Sequence, residues 1–165
     1  MATESLEEMA ARLGAVLAAR DWKMAAAESC TGGGIAYLVT SVAGSSAWFA
    51  RGFVTYSNAA KHQMLGVPDE TLDRHGAVSA ATAEAMVSGA LTHSDADVAV
   101  AVTGVAGPGG GTDEKPVGLV WFAWARRGHT PEARVKQLPG ERREVRDQSI
   151  RVALEGLIEQ AEEPL

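Results

Sequence analysis

The chain carries one cysteine in 165 residues, Cys30, so no disulfide can close within it, and a reducing, cytoplasmic setting is expected. Long apolar runs are missing: none approaches the ~20 residues that a membrane-spanning helix needs. Basic residues are in the minority, 15 Lys and Arg against 21 Asp and Glu, and the formal net charge of −6 argues against a nucleic-acid surface. Histidine is sparse. His62, His75, His93 and His129 stand apart, with no His-x-x-x-His pair or acidic ligand cluster beside them, so no metal site is expected. The N-terminal stretch MATESLEEMAARLG is acidic and amphipathic, unlike a signal or transit peptide. No internal repeat, linker or low-complexity segment divides the chain.

What is present points to one packed domain. The apolar fraction is 46%, and a chain of this length buries roughly 70% of its unfolded surface. Leu6, Met9, Leu13, Val16 and Leu17 share a helical face after the capping-box pattern Ser5-x-x-Glu8, predicting a helix from Leu6 to Arg20. Met24–Ala27 suits a short buried strand, and Ile35 to Val42 a helix that ends near Gly44. Phe53–Tyr56 reads as a strand bounded by Gly52, with Ser57 or Asn58 capping a helix that carries Lys61. Pro68 opens a short acidic helix stopped by Gly76, and Ser79 caps the next. Asp97–Thr103 is apolar on both faces and so central. Val117–Ala125 and Ala133–Leu138 form a hairpin around Arg126-Arg127-Gly128-His129. A last helix begins after Gly140 and buries Ile150, Leu154, Leu157, Ile158 and Ala161. The expected architecture is a three-layer α/β/α sandwich whose sheet is mixed, because the hairpin cannot be parallel.

Glycine is the compositional excess, 18 residues with two clusters, and both lie where ligands bind in open α/β sheets. In Glu28-Ser29-Cys30-Thr31-Gly32-Gly33-Gly34, the hydroxyls of Ser29 and Thr31 and the amides of Gly32 and Gly33 fit a phosphate or carboxylate at a helix start; a tight turn capped by Thr31 is the plainer alternative. Cys30 at a helix N-terminus is a nucleophile candidate, or a small core residue. In Thr103–Gly111, no Gly-Lys-Ser/Thr follows the glycines and no helix does either, which excludes a Walker loop and a dinucleotide fingerprint. Thr103, Gly104 and Gly107 then belong to a backbone-rich wall able to donate amides to an oxyanion, or to a surface loop. Between the clusters, GSSAWFARGFVTYSNAAK (Gly44–Lys61) offers two hydroxyls (Ser45, Ser46), the Tyr56 phenol and the Lys61 amine. Such a set can perform acyl transfer without histidine if burial lowers the lysine pKa. Arg142, Arg143 and Arg146, near a helix start, can clamp a phosphate, or lie solvated among Glu141 and Glu144.

Taken together, AESCTGG (Ala27–Gly33), Gly44–Lys61, LGV (Leu65–Val67), HGAVS (His75–Ser79), TGVAGPGGGTDEKPVG (Thr103–Gly118) and GERREVR (Gly140–Arg146) resemble the CinA C-terminal domain family, the nicotinamide-nucleotide amidases, across most of the chain. The resemblance implies hydrolysis of the carboxamide of nicotinamide mononucleotide to nicotinate mononucleotide and ammonia, in bacterial cytoplasmic pyridine-nucleotide salvage, with no metal or organic cofactor. It implies Ser46 as nucleophile, Tyr56 and Lys61 as the proton-handling pair, Ser29 and Thr103 in support, and an arginine after Gly140 at the substrate phosphate. The family pattern there is Gly-Asp-Arg and this chain reads Gly140-Glu141-Arg142, which favours Arg142. Many family members carry a further N-terminal domain, and nothing belonging to it is expected of this chain. The expected partner is a small nucleotide substrate, with no nucleic acid or membrane; Trp48, Trp121 and Trp124 are core residues or contacts of a homo-oligomer. The rival readings are an amidase dependent on Cys30, a nucleotide-binding module without catalysis, and cleavage of the glycosidic bond.

Overall fold

Residues 2–164 are described by a computed structural model of the chain. Its first helix, α1 (Leu6–Ala19), starts at the capping box: Ser5 Oγ accepts from the Glu8 amide and the Glu8 carboxylate accepts from the Ser5 amide. There follow β1 (Met24–Glu28), α2 (Gly34–Thr40), one 3-10 turn (Ser45–Ala47), β2 (Phe49–Val54) and three helices, α3 (Asn58–Leu65), α4 (Asp69–His75) and α5 (Ala80–Thr92). Then come β3 (Val98–Gly104), the hairpin β4 (Leu119–Arg126) and β5 (Glu132–Gln137), and the long α6 (Arg142–Glu162). No helix among the described residues is long and apolar enough to cross a membrane.

The five strands form one mixed sheet in the order β2-β1-β3-β4-β5. β1 runs parallel between β2 and β3, whereas β4 and β5 are antiparallel additions, since a short turn permits no crossover. Helices α1, α2 and α6 cover one face and α3, α4 and α5 the other, which is the expected three-layer sandwich. From β1 the chain steps outward to β2, then returns past β1 to β3. The carboxyl ends of β1 and β3 therefore diverge into a crevice, the usual ligand position in such sheets.

Strand alternation sorts the core by size. In β3, Val98, Val100 and Val102 face α1 and α6, while Ala99 and Ala101 face α5; β4 repeats this with Val120, Phe122 and Trp124 against Ala123 and Ala125. On the large-residue face the Trp124 indole donates to Ala153 O at 3.0 Å and packs against Gly156. On the small-residue face α3 crosses α5 at Gly89, where a Cβ would meet Leu65 O at 2.1 Å.

Beyond shifts of one or two residues at element ends, two boundaries differ from the sequence reading. β2 starts at Phe49 and runs through Gly52, which does not end the strand: it pairs with Ala26 and lets Ala36 of α2 approach to 3.4 Å of where its Cβ would be. Tyr56 lies two residues beyond that strand. α2 stops at Thr40, short of Gly44, because the Thr40 and Ser41 hydroxyls bond back to Ala36 O and Leu38 O.

A methyl group at Gly156 would sit 2.0 Å from the Trp124 ring. Gly156→Ala is therefore expected to lower the unfolding free energy by about 1–3 kcal/mol, read by urea denaturation. An unchanged midpoint would show that α6 can shift without cost.

Candidate active site

Three strand ends build the crevice. At the end of β1 the period-two alternation that sends Met24 and Ala26 toward α2 sends Glu28 there too, and it turns Ser29 toward α3. Glu28 is fully buried. Its carboxylate accepts from Thr31 Oγ1 (2.7 Å), the Ile35 amide (2.8 Å) and the Ala36 amide (3.1 Å), so a residue seven positions upstream caps α2. The Ser29 amide donates to Val102 O and Glu28 O accepts from the Thr55 amide, which ties this turn to both flanking strands.

The start of α2 is thus occupied from within. The first amides of α2 serve Glu28, and Thr31 spends its hydroxyl on the same carboxylate. Of the groups expected at a ligand's phosphate, the Thr31 hydroxyl is therefore engaged by Glu28 and the Gly32 amide by Ser29 O. Gly32 and Gly33 take left-handed backbone (φ 59° and 96°), and Arg146 closes the turn from outside, donating to Cys30 O (3.1 Å) and Thr31 O (3.2 Å). Glu28 and Arg146 are the residues that sequence reading missed in this role. The signal for Glu28 was a carboxylate at the inward parity of an apolar strand.

Lys61 is the centre of the site. Ser57 caps α3 by accepting from the Ala60 amide, and one turn on, Lys61 and Leu65 form the inward face. Lys61 is 1% exposed. Its Nζ donates to Ser29 Oγ (2.9 Å), Thr55 O (2.9 Å) and Tyr56 O (3.1 Å), and burial pushes its pKa down to about 8. No carboxylate is among these partners.

Ser29, Cys30, Tyr56, Lys61, Ala77, Val78, Thr103, Gly104, Ala106 and Arg142 enclose a cavity of about 180 Å³. Thr103 donates to Ala77 O (2.8 Å), joining the end of β3 to the start of α5. Arg142, at the first turn of α6, donates to Gly107 O (2.8 Å) and to the Tyr56 phenol oxygen (3.3 Å). Tyr56 is 61% exposed and meets Lys61 only through its main-chain carbonyl. Burial pushes the Cys30 thiol up to about 11, which leaves little thiolate for nucleophilic work at neutral pH. No group of three or more His, Cys, Asp and Glu side chains is arranged to hold a metal ion among the described residues.

Ser46 lies elsewhere. It is exposed in the 3-10 turn before β2, two residues from Trp48, whose carbonyl pairs with the Met24 amide at the start of β1. Ser29 follows the end of β1, so the five-residue strand separates the two serines by about 16 Å. Within one chain Ser46 does not meet Lys61. The hydroxyl brought to the amine is that of Ser29, which the resemblance had in a supporting role.

An α/β sandwich with a desolvated amine on a hydroxyl at its carboxyl edge has the parts of an acyl-transfer site. Residues 6–161 match the model of the CinA C-terminal domain, and the chain belongs to that family. It is 50% identical over 155 residues to the nicotinamide-nucleotide amidohydrolase PncC of Enterobacter agglomerans, covering 94% of each chain. It is 49% identical over 160 residues to the PncC of Escherichia coli, covering 97% of each. Among solved structures it superposes on the competence/damage inducible protein CihA of Agrobacterium tumefaciens with a TM-score of 0.91 at 48% identity, over 96% of this chain and 98% of that one.

Because the folded pKa of Lys61 lies near 8, below the ordinary 10.5, the unfolded chain binds more protons between those values and stability rises with pH across that window. Lys61→Met removes this dependence. Denaturation at pH 7 and at pH 10 should show the variant gaining on the parent at the lower pH and losing that advantage at the higher. A difference that does not change with pH would mean that the amine is not desolvated. Separately, Glu28→Ala strands two buried donors and a half-buried one, and should cost about 1–3 kcal/mol in the same assay.

Proposed function

We propose that the chain hydrolyses the carboxamide of nicotinamide mononucleotide to nicotinate mononucleotide and ammonia, with Ser29 as nucleophile and Lys61 as its base. The names and near full-length identity of the relatives support the reaction. One observation supports the assignment of roles. Of the three partners of Lys61 Nζ, two are carbonyls that can only accept. Once the amine is neutral, its two remaining hydrogens stay on Thr55 O and Tyr56 O, and its lone pair faces the only partner with a proton to give, the Ser29 hydroxyl.

An amide is a weak electrophile with a poor leaving group, so it needs an activated nucleophile, oxyanion donors and an acid for the departing nitrogen. Ser29 Oγ attacks the carboxamide carbon while Lys61 takes its proton. Main-chain amides of the turn behind Ser29 and of the Gly104–Gly107 wall are the donors at hand for the oxyanion. The Lys61 ammonium then passes its proton to the nitrogen, the C–N bond breaks, and ammonia leaves an acyl-serine. Water, deprotonated by the same amine, releases the acid. Tyr56 and Thr103 shape the cavity around these steps.

Size orients the substrate. The reactive cavity of about 180 Å³ is below the ~300 Å³ at which ligand pockets begin, so it takes the pyridine carboxamide and little else. Arg142 also borders two larger clefts of about 650 and 540 Å³, both of which include Arg143. The ribose phosphate would leave past Arg142 toward these guanidiniums, where its binding energy holds the carboxamide in place. A role in pyridine-nucleotide salvage in the bacterial cytoplasm follows from this reaction.

Ammonia release and a chromatogram of the products test the reaction; free nicotinamide would indicate glycosidic cleavage and overturn it. Ser29→Ala and Lys61→Met are each expected to lose at least about a thousandfold in kcat, whereas Ser46→Ala should stay within a few-fold of the parent. The reverse ranking of the two serines would return the nucleophile to Ser46. The pH profile of kcat/KM should rise through a limb near 8 as Lys61 loses its proton.

A further inference from the structure

The segment between β3 and β4, residues 105–118, contributes Ala106 to the lining of the reactive cavity, and the sequence alone leaves open what holds it. Its two ends are zipped together: the Val105 amide donates to Leu119 O and the Gly118 amide to Val105 O. Its glycine-rich middle has no such ladder. Gln137 Nε2 and the Leu138 amide hold the segment's last two residues through Val117 O and Gly118 O; before them it has two ties, of which one is Arg142 on Gly107 O. The other is Lys115, whose Nζ donates at 2.6 Å to His75 O, a carbonyl at the end of α4.

That second tie is built on both sides. The Lys115 stem rises from a closed turn in which the Thr112 amide donates to Lys115 O and the Lys115 amide to Thr112 Oγ1. The acceptor belongs to the last residue of a helix, whose carbonyls lack intrahelical partners and carry the negative end of the peptide dipoles. The next residue is Gly76, with φ 76°, and a Cβ there would lie 2.8 Å from Lys115 Nζ. A bare residue at that point leaves room for the ammonium. Immediately beyond it, Ala77 and Val78 line the cavity opposite Gly104 and Ala106.

We infer that Lys115 is a positioning residue that latches the 105–118 segment to the end of α4 and so sets the spacing between the two walls of the reactive cavity. The half-buried bond from Thr103 to Ala77 O fixes that spacing on the inside and Lys115 fixes it at the rim. The role rests on the proposed reading of the cavity as the reactive site, although the latch itself does not.

Hydrogen–deuterium exchange of the full chain without substrate, with steady-state kinetics on nicotinamide mononucleotide, tests both parts. Lys115→Met should speed exchange in residues 105–118 by about tenfold, leave β1 and α6 unchanged, and lower kcat/KM by about tenfold. Lys115→Arg, which keeps a donor of similar reach, should restore both to within a few-fold. Unchanged exchange with reduced kcat/KM would overturn the latch in favour of direct contact with substrate. Faster exchange with unchanged kcat/KM would overturn its part in shaping the cavity. If the parent protein releases no ammonia, the reaction is wrong, and exchange alone still decides whether Lys115 holds the segment.

Discussion

The site depends on the removal of one amine from water. An ammonium in a protein interior is costly unless it is paired, and Lys61 has no carboxylate partner: two backbone carbonyls and a hydroxyl take its three hydrogens. The same environment makes the charged form tolerable and the neutral form accessible. A carboxylate in that position would hold the proton and keep the amine charged. Glu28, the nearest acid in sequence to Ser29, is turned to the other face of the sheet and fully engaged by the start of α2.

The division between Glu28 and Ser29 comes from the sheet. Two adjacent residues at a strand end point to opposite layers, one to complete a helix and the other to meet a lysine from the far side. Their backbone is fixed by bonds from β2 and β3, and central placement in a parallel trio leaves the strand no freedom to slip. The crevice, the capped helix and the hydroxyl–amine pair thus follow from one register.

Much of this was legible beforehand. Hydrophobic periodicity placed the helices, the antiparallel hairpin and the central β3, and the two glycine clusters marked the ends of β1 and β3. A lysine four residues before Leu65, on a helix with little other apolar surface, carried a trace of its own burial. What the sequence hid was distance across the sheet. Ser46 and Lys61 are near neighbours in the chain, yet a whole strand lies between them, whereas Ser29 and Lys61 are thirty-two residues apart and in contact. Local proximity favoured a hydroxyl that lies away from the amine, because parallel strands bring together residues from successive loops, not residues of one loop. Glu28 escaped notice for a related reason: a helix is ordinarily capped from one position before it, and here the cap comes from the preceding strand.

The two faces of the sheet differ in the thickness of what covers them. Where Ala25, Ala27, Ala99 and Ala101 carpet the sheet, α5 rests almost on the backbone, and α3 stands on α5 at Gly89. The height of the amine above the crevice therefore depends on the small side chains beneath these helices. A single added carbon in that carpet would lift two helices together. These small side chains thus act as shims for the amine, and substitutions among them would shift the crevice without altering any residue that lines it.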